Sequence, residues 1–579
     1  MMRRHVPTLV ALVLGLFLAV IGTTTPWPAP VDTLPDHFSA SRAMADVRVI
    51  GREPHPAGSM ADAQLCGWLA QRLRGLGMEV HEQAFTPDPV RVARYIDWGG
   101  VADRPQRMVN LVAVLPGRDR RLSAVALMAH HDTVSGSPGA ADDGAGMASI
   151  IETVRAIAAA GLPPRDLVVI LTDGEEIGLD GARAFFGREA GGGDPLRDHI
   201  GALINLEARG GGGRATLFQT SADNGAAVAL ASRSIHHPAG SSLAVFLYRI
   251  LPNDTDLTMA LPWAGTHGVA AYNFAFIGRP GLYHSPKATP ERLDQGSLQD
   301  MGGQVLDLTR ALLDAPRLPG PTHDLVFFDL FGLIMVMLPL WTGWVMLGVS
   351  AGAVAALWRE RGRGRGHLRA GLAGAGRMLG LAGLAALLTM GSNLVSFHVG
   401  GPNYYDRLAA TPRLEVMASA SAIAAFFVVI GRWRPGRAAL AGAFVPLWIA
   451  GMLLQFFAPV AAYVVVVPVL VASLITLLPE RGVGSVVAII LAGLVVGYQF
   501  QLVHEMLQAV GSDMPLVVAL PLVLAALALL PRWQPLSRPG RRTAVLAFGL
   551  LGFAVALVVR ATPIADTIPA YSLTTRPLP

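Results

Sequence analysis

The chain has 579 residues, of which 52% are hydrophobic and only 15% charged, and its mean hydropathy is +0.46. That length accommodates several domains, and the hydropathy excludes an ordinary soluble protein and requires membrane spans. The net charge of +5 does not indicate a nucleic-acid binder, because the basic residues sit between apolar runs and form no stripe interleaved with aromatics; Cys66, the single cysteine, excludes an intrachain disulfide and a thiolate zinc cluster.

Residues 7–23, PTLVALVLGLFLAVIGT, form an apolar run behind Arg3 and Arg4. No small-x-small cleavage site follows, so residues 1–28 read as an uncleaved membrane anchor rather than a removed leader. Residues 40–315 read as an α/β domain. Short apolar runs (LSAVALMAH, DLVVILTD, GALINLE, AYNFAFIG) alternate with helical patterns at 146–160 and 296–314. Such alternation predicts a mostly parallel mixed sheet sandwiched by helices, with sites at the carboxyl ends of the strands.

From residue 325 to 562 the pattern predicts a polytopic α-helical membrane domain of about eight helices. The spans fall near 329–357, 376–396, 414–431, 438–456, 459–478, 485–503, 514–530 and 543–560, and 563–579 form a tail. Arginines concentrate at 359–369, 431–437, 479–482 and 531–542, whereas the alternate loops hold only Arg407 and Arg413. The positive-inside rule then puts the α/β domain and the tail on the extracytoplasmic side. An Arg-, Ala- and Gly-rich composition suggests a GC-rich bacterial genome, hence an inner membrane with this domain in the periplasm; in a eukaryote the same topology is lumenal. The spans carry few polar or ionisable groups, with His504, Glu505 and Asn393 near membrane edges, so the membrane half reads as an anchor rather than a transporter.

The chemistry gathers at MAHHDTVSGSPGAADDGAGM, residues 128–147. Taken singly, Asp142 and Asp143 read as caps of the helix that follows, and His130 as a core histidine. They are not alone. Glu175 and Glu176 follow one predicted strand, Glu207 ends another, and His284 lies in a loop after a fourth. Strand ends converge in this fold, and these groups repel unless a cation neutralises them. Two histidines with carboxylates form an N/O ligand set suited to two zinc ions sharing a bridging carboxylate.

Taken jointly, HHDTV, PGAADDGAG, DGEEIG, NLEARG and YHSP resemble metallopeptidase family twenty-eight, the co-catalytic di-zinc aminopeptidases. Within it, INLEA with FQT at 218–220, PHPAGS at 55–60 and NDTD at 253–256 resemble the membrane-bound branch of vacuolar membrane proteases and endoplasmic reticulum metallopeptidases. The resemblance implies that His130 is the first zinc histidine and Asp132 the aspartate that orients it. It makes Asp142 the bridging ligand, Glu175 the general base, and Glu176, Glu207 and His284 the remaining ligands. Glu207 stands where most soluble members carry Asp. Asp143, Asp173 and Asp256 are left as capping, turn or supporting residues, and Tyr283 and Arg209 as packing or surface charge. The activity implied is a membrane-anchored, zinc-dependent exopeptidase acting on peptides, with Zn2+ at two per chain. The alternatives are a glutaminyl-cyclase-like acyltransferase with one zinc, and a non-catalytic receptor or scaffold domain.

Overall fold

A computed structural model describes residues 5–97, 107–187, 193–359, 365–397 and 404–562. Arg3, Arg4, residues 360–364 of the arginine-rich loop and the tail 563–579 lie outside the described residues. The chain divides into two compact units. Among the described residues, one spans Thr24–Met337, and the other combines the first helix with the chain from Leu338 to Thr562.

The first unit is built on β1 (Glu79–Phe85), β2 (Met108–Leu115), β3 (Ala124–His130), β4 (Leu167–Thr172), β5 (Ile200–Ala208), β6 (Thr216–Thr220) and β7 (Ala270–Phe276). These form one seven-stranded sheet in the order β1-β2-β4-β3-β5-β7-β6. The central strands β4, β3, β5 and β7 run parallel, while β1, β2 and β6 pair antiparallel at the two edges. The mostly parallel sheet expected from the apolar runs is therefore present.

Every residue of β3 and β4 is buried, as uninterrupted apolar strands covered on both faces must be. Alternate residues feed two cores. Leu127, Val169 and Ile204 face one that includes Met44, Ile151 and Leu308 from the helices Ala40–Ile50, Gly144–Ala160 and Gln295–Asp314. Met128, Ile170 and Leu203 face the other, with Phe185, Phe186 and Trp263. The helix Gly144–Ala160 starts where Asp143 accepts a hydrogen bond from the Gly146 N–H at 3.0 Å, the capping role expected of that aspartate.

The stretch 329–357 differs from the single long span expected. It resolves into part of a two-stranded sheet, β8 (Leu325–Leu330) and β9 (Ile334–Pro339), followed by a helix Thr342–Trp358. Phe331 and Gly332, both with positive φ, turn the chain between the strands. The first unit thus extends to Met337 rather than ending near 315.

The second unit is helical. Among the described residues, seven helices are long and apolar enough to cross a membrane: Val6–Thr23, Gly366–Val395, Thr411–Val429, Arg437–Phe457, Val483–Val510, Pro515–Arg532 and Arg538–Ala561. Thr342–Trp358 and Tyr463–Ile475 are shorter apolar helices. Helices satisfy their own backbone hydrogen bonds, which hydrocarbon demands. The first helix lies against Val483–Val510 at glycines: a Cβ on Gly15 would sit 2.8 Å from Val496 Cγ1 and 3.0 Å from the Gly497 nitrogen. Gly493 and Gly497 form a small-xxx-small pair that permits this approach.

Candidate metal centre

The candidate residues converge at the carboxyl ends of the parallel strands. His130 ends β3, and Asp132 and Asp142 follow in the loop before the helix Gly144–Ala160. Glu175 and Glu176 follow β4 through Gly174, whose φ of +77° suits glycine. Glu207 lies near the end of β5. His284 lies in the loop after β7, with its ring stacked on Tyr283 at a centroid distance of 3.7 Å.

These residues form two triads that share one carboxylate. Donor atoms of His130, Asp142 and Glu207 lie within 4.8 Å of one another, and so do those of Asp142, Glu176 and His284. Asp142 Oδ1 is 3.1 Å from His130 Nε2, and its Oδ2 is 3.5 Å from His284 Nε2. Glu176 Oε2 is 3.1 Å from His284 Nε2, and Glu207 Oε2 is 3.9 Å from His130 Nε2. Glu175 belongs to neither triad but groups with His130 and Glu176.

The tautomer of His130 follows from its partners. Its Nδ1–H donates to the Asp132 carbonyl at 2.9 Å. A carbonyl only accepts, so Nδ1 carries hydrogen and Nε2 faces the carboxylates. The Asp132 carboxylate has a different duty. Its two oxygens accept the backbone N–H groups of Glu175 and Glu176 at 3.0 and 3.2 Å, and lie no nearer than 3.6 Å to the His130 Nδ1. Asp132 therefore orients the imidazole through its main chain and the acidic loop through its side chain.

The electrostatics are those of a buried cluster crowded with acids. Burial pushes the Glu207 carboxyl well above the usual range, Asp142 and Asp256 push it further, and His130 opposes them. Burial, with Glu207, Glu176 and Asp256, does the same to Glu175, again against His130. Asp142 is held below the usual range because His130 and His284 outweigh its burial. Asp256, which accepts the Thr172 hydroxyl, is pushed up to about 6, chiefly by burial. Each triad offers one imidazole nitrogen and two carboxylates, a donor set that fits a divalent cation of the zinc type. Such a cation would let the crowded carboxyls ionise together.

His131 points the other way, as strand alternation requires. It bonds Asp62 Oδ1 at 2.8 Å through Nδ1 and the Val109 carbonyl at 3.0 Å through Nε2. Asp62, His131 and Asp173 form a separate buried group. Burial pulls the His131 imidazole down, but Asp62 and Asp173 raise it well above its ordinary value, and both its ring nitrogens face acceptors. Asp62 lies in the first turn of the helix Met60–Gly75, where its sequence neighbours give no signal of this role. Asn205, by contrast, stands two residues before Glu207 in the NLE motif and shares its face of β5.

Residues 110–309 match the model of peptidase family M28. The chain is 31% identical over 290 residues to endoplasmic reticulum metallopeptidase 1 of Mus musculus, a match covering 48% of this chain and 31% of that protein. It is 28% identical over 367 residues to the vacuolar membrane protease of Coccidioides posadasii, covering 55% of this chain and 35% of the relative. The match thus spans about a third of the length of these relatives. Among solved structures, a zinc aminopeptidase from Bacillus subtilis aligns at 14% identity and a TM-score of 0.38, covering 50% of this chain and 98% of that one. A glutaminyl cyclase from Porphyromonas gingivalis aligns at 19% identity and a TM-score of 0.34, covering 47% and 97%. The family expected from the motifs is the family whose model matches, and the relatives are named as a metallopeptidase and a membrane protease.

Proposed function

We propose that this chain is a membrane-anchored, zinc-dependent exopeptidase of the aminopeptidase type. The observation that carries the reading is Asp142, whose two oxygens face two imidazoles belonging to two separate triads. In this reading His130, Asp142 and Glu207 hold one zinc, and Asp142, Glu176 and His284 hold the other. Zinc bound there supplies Lewis acidity, which activates water and polarises a carbonyl.

The chain's own residues supply the rest. Glu175 lies outside both triads and is free to move a proton. It takes the proton of the attacking water at its carboxylate and passes it to the nitrogen of the leaving amine, which completes cleavage of the peptide C–N bond. Asp132 holds the Glu175 backbone so that this carboxylate stays beside the ligands. Asp142 and His130 point their donor atoms inward from a rigid strand end and helix start, so little order is lost when substrate binds.

The seven apolar helices support a multi-pass membrane protein. The arginine distribution supports an extracytoplasmic peptidase unit, periplasmic in a bacterium, with the helical unit as its anchor.

Detergent-purified protein incubated with matched peptides, N-terminally free and N-terminally blocked, tests the reading. Release of N-terminal residues from free peptides only, abolished by chelator and restored by zinc, is the expected result. Cyclisation of N-terminal glutamine without peptide-bond cleavage would replace it with acyltransfer.

A further inference from the structure

A rung of buried amides crosses three strands beside the centre. Asn205 on β5 pairs with Asn273 on β7, and Asn273 pairs with Gln219 on β6. All three are buried. Asn205 Nδ2 lies 3.3 Å from Glu207 Oε1 and 3.0 Å from Asn273 Oδ1. Asn273 Nδ2 lies 2.9 Å from both Gln219 Oε1 and Thr255 Oγ1.

The direction of this chain is dictated from one end. A ligand carboxylate only accepts hydrogen bonds, so Asn205 must turn its amide nitrogen toward Glu207. That nitrogen also meets Asn273, which must therefore present its oxygen. The Asn273 nitrogen is left for Gln219 and Thr255, so Gln219 presents its oxygen too. Asn205 forgoes a bond to keep this orientation: its buried Oδ1 has no hydrogen-bond partner among the described residues. Reversing any one amide would set acceptor against acceptor or donor against donor and leave buried groups unsatisfied.

We infer that Gln219, Asn273 and Asn205 form a one-directional relay that positions Glu207, occupying its Oε1 and reserving Oε2 for the cation shared with His130 and Asp142. The three amides are positioning residues; none touches the substrate. The relay also gives a reason for a glutamate at this place. Its longer side chain can meet the Asn205 amide on its own strand with one oxygen while the other stands 3.9 Å from His130 Nε2. This inference rests on the metal reading above.

The test is zinc affinity, measured on full-length protein in detergent by competition with a fluorescent chelator, alongside zinc content. Wild type is expected to show two sites. Asn205→Leu, close to isosteric, should keep one site at unchanged affinity and weaken the other by about 10- to 100-fold, the usual effect of losing a ligand's hydrogen-bond partner. Gln219→Met changes only the far end of the rung and should weaken the same site by a smaller factor. It decides the matter if Asn205→Leu does not fold. Unchanged affinities in Gln219→Met overturn the relay, and equal weakening of both sites marks general loosening and overturns it as well. A wild type that binds no zinc would instead remove the metal reading itself.

Discussion

Asp132 binds the acidic loop, not the imidazole, with its side chain: its carboxylate accepts the Glu175 N–H at 3.0 Å and the Glu176 N–H at 3.2 Å. His130 takes the Asp132 carbonyl instead. Asp132→Asn keeps the size but replaces one acceptor oxygen by a donor that opposes an N–H. We expect activity to fall by about 10- to 100-fold, as for other residues that support metal ligands. The imidazole contact should survive, because the carbonyl remains. Steady-state kinetics with zinc content measured on the same sample checks both halves of this expectation.

Glu175 stands beside the ligands without belonging to either triad. Glu175→Gln should therefore retain zinc and lose about 100- to 10,000-fold in kcat, the range for a positioned proton-transfer group. Substantial turnover by a zinc-replete Glu175→Gln protein would remove it from the proton path.

His131 bonds Asp62 and stands beside Asp173 in a buried group. His131→Leu leaves both carboxylates without that partner, and breaking a buried pair in this way costs about 3–5 kcal/mol. A double variant, His131→Leu with Asp62→Leu, should recover part of the loss. Thermal unfolding in detergent reads both. No difference between the single and double variants would contradict the pairing.

Gly15 meets the Val483–Val510 helix with no room for a side chain, since even a Cβ falls 2.8 Å from Val496. Gly15→Leu should destabilise the helical unit by about 1–3 kcal/mol, the usual penalty for overpacking. Gly376→Leu is the control, because nothing lies within 4 Å of a Cβ there. Equal unfolding temperatures for the two variants would argue against close packing of the first helix.

Much of the centre is legible in the sequence because its acids and histidines stand at or soon after the ends of apolar strands. His130, Thr172, Glu207 and Phe276 mark or neighbour the ends of four parallel strands, and a polar group at such a position has few purely structural uses. What stays hidden depends on pairing. Asn205 is visible in NLE, but its link to Asn273 and Gln219 comes from strand register, which the sequence does not display. Asp62 sits in an ordinary helical context and meets His131 only through tertiary packing. The misreading at 329–357 has a simple origin. β9, Ile334–Pro339, is apolar and runs within a few residues into the shorter apolar helix Thr342–Trp358, so hydropathy merges them. Only the turn at Phe331 and Gly332 separates strand from strand, and neither residue is polar.

The central claim is that two metal ions share Asp142. Zinc counted per chain in wild type and in Asp142→Asn, after removal of loosely bound metal, tests it most directly. The account predicts two zincs in wild type and fewer than one in Asp142→Asn, because the substitution weakens both triads at once. One zinc in wild type, or the loss of a single zinc from two in the variant, would contradict it.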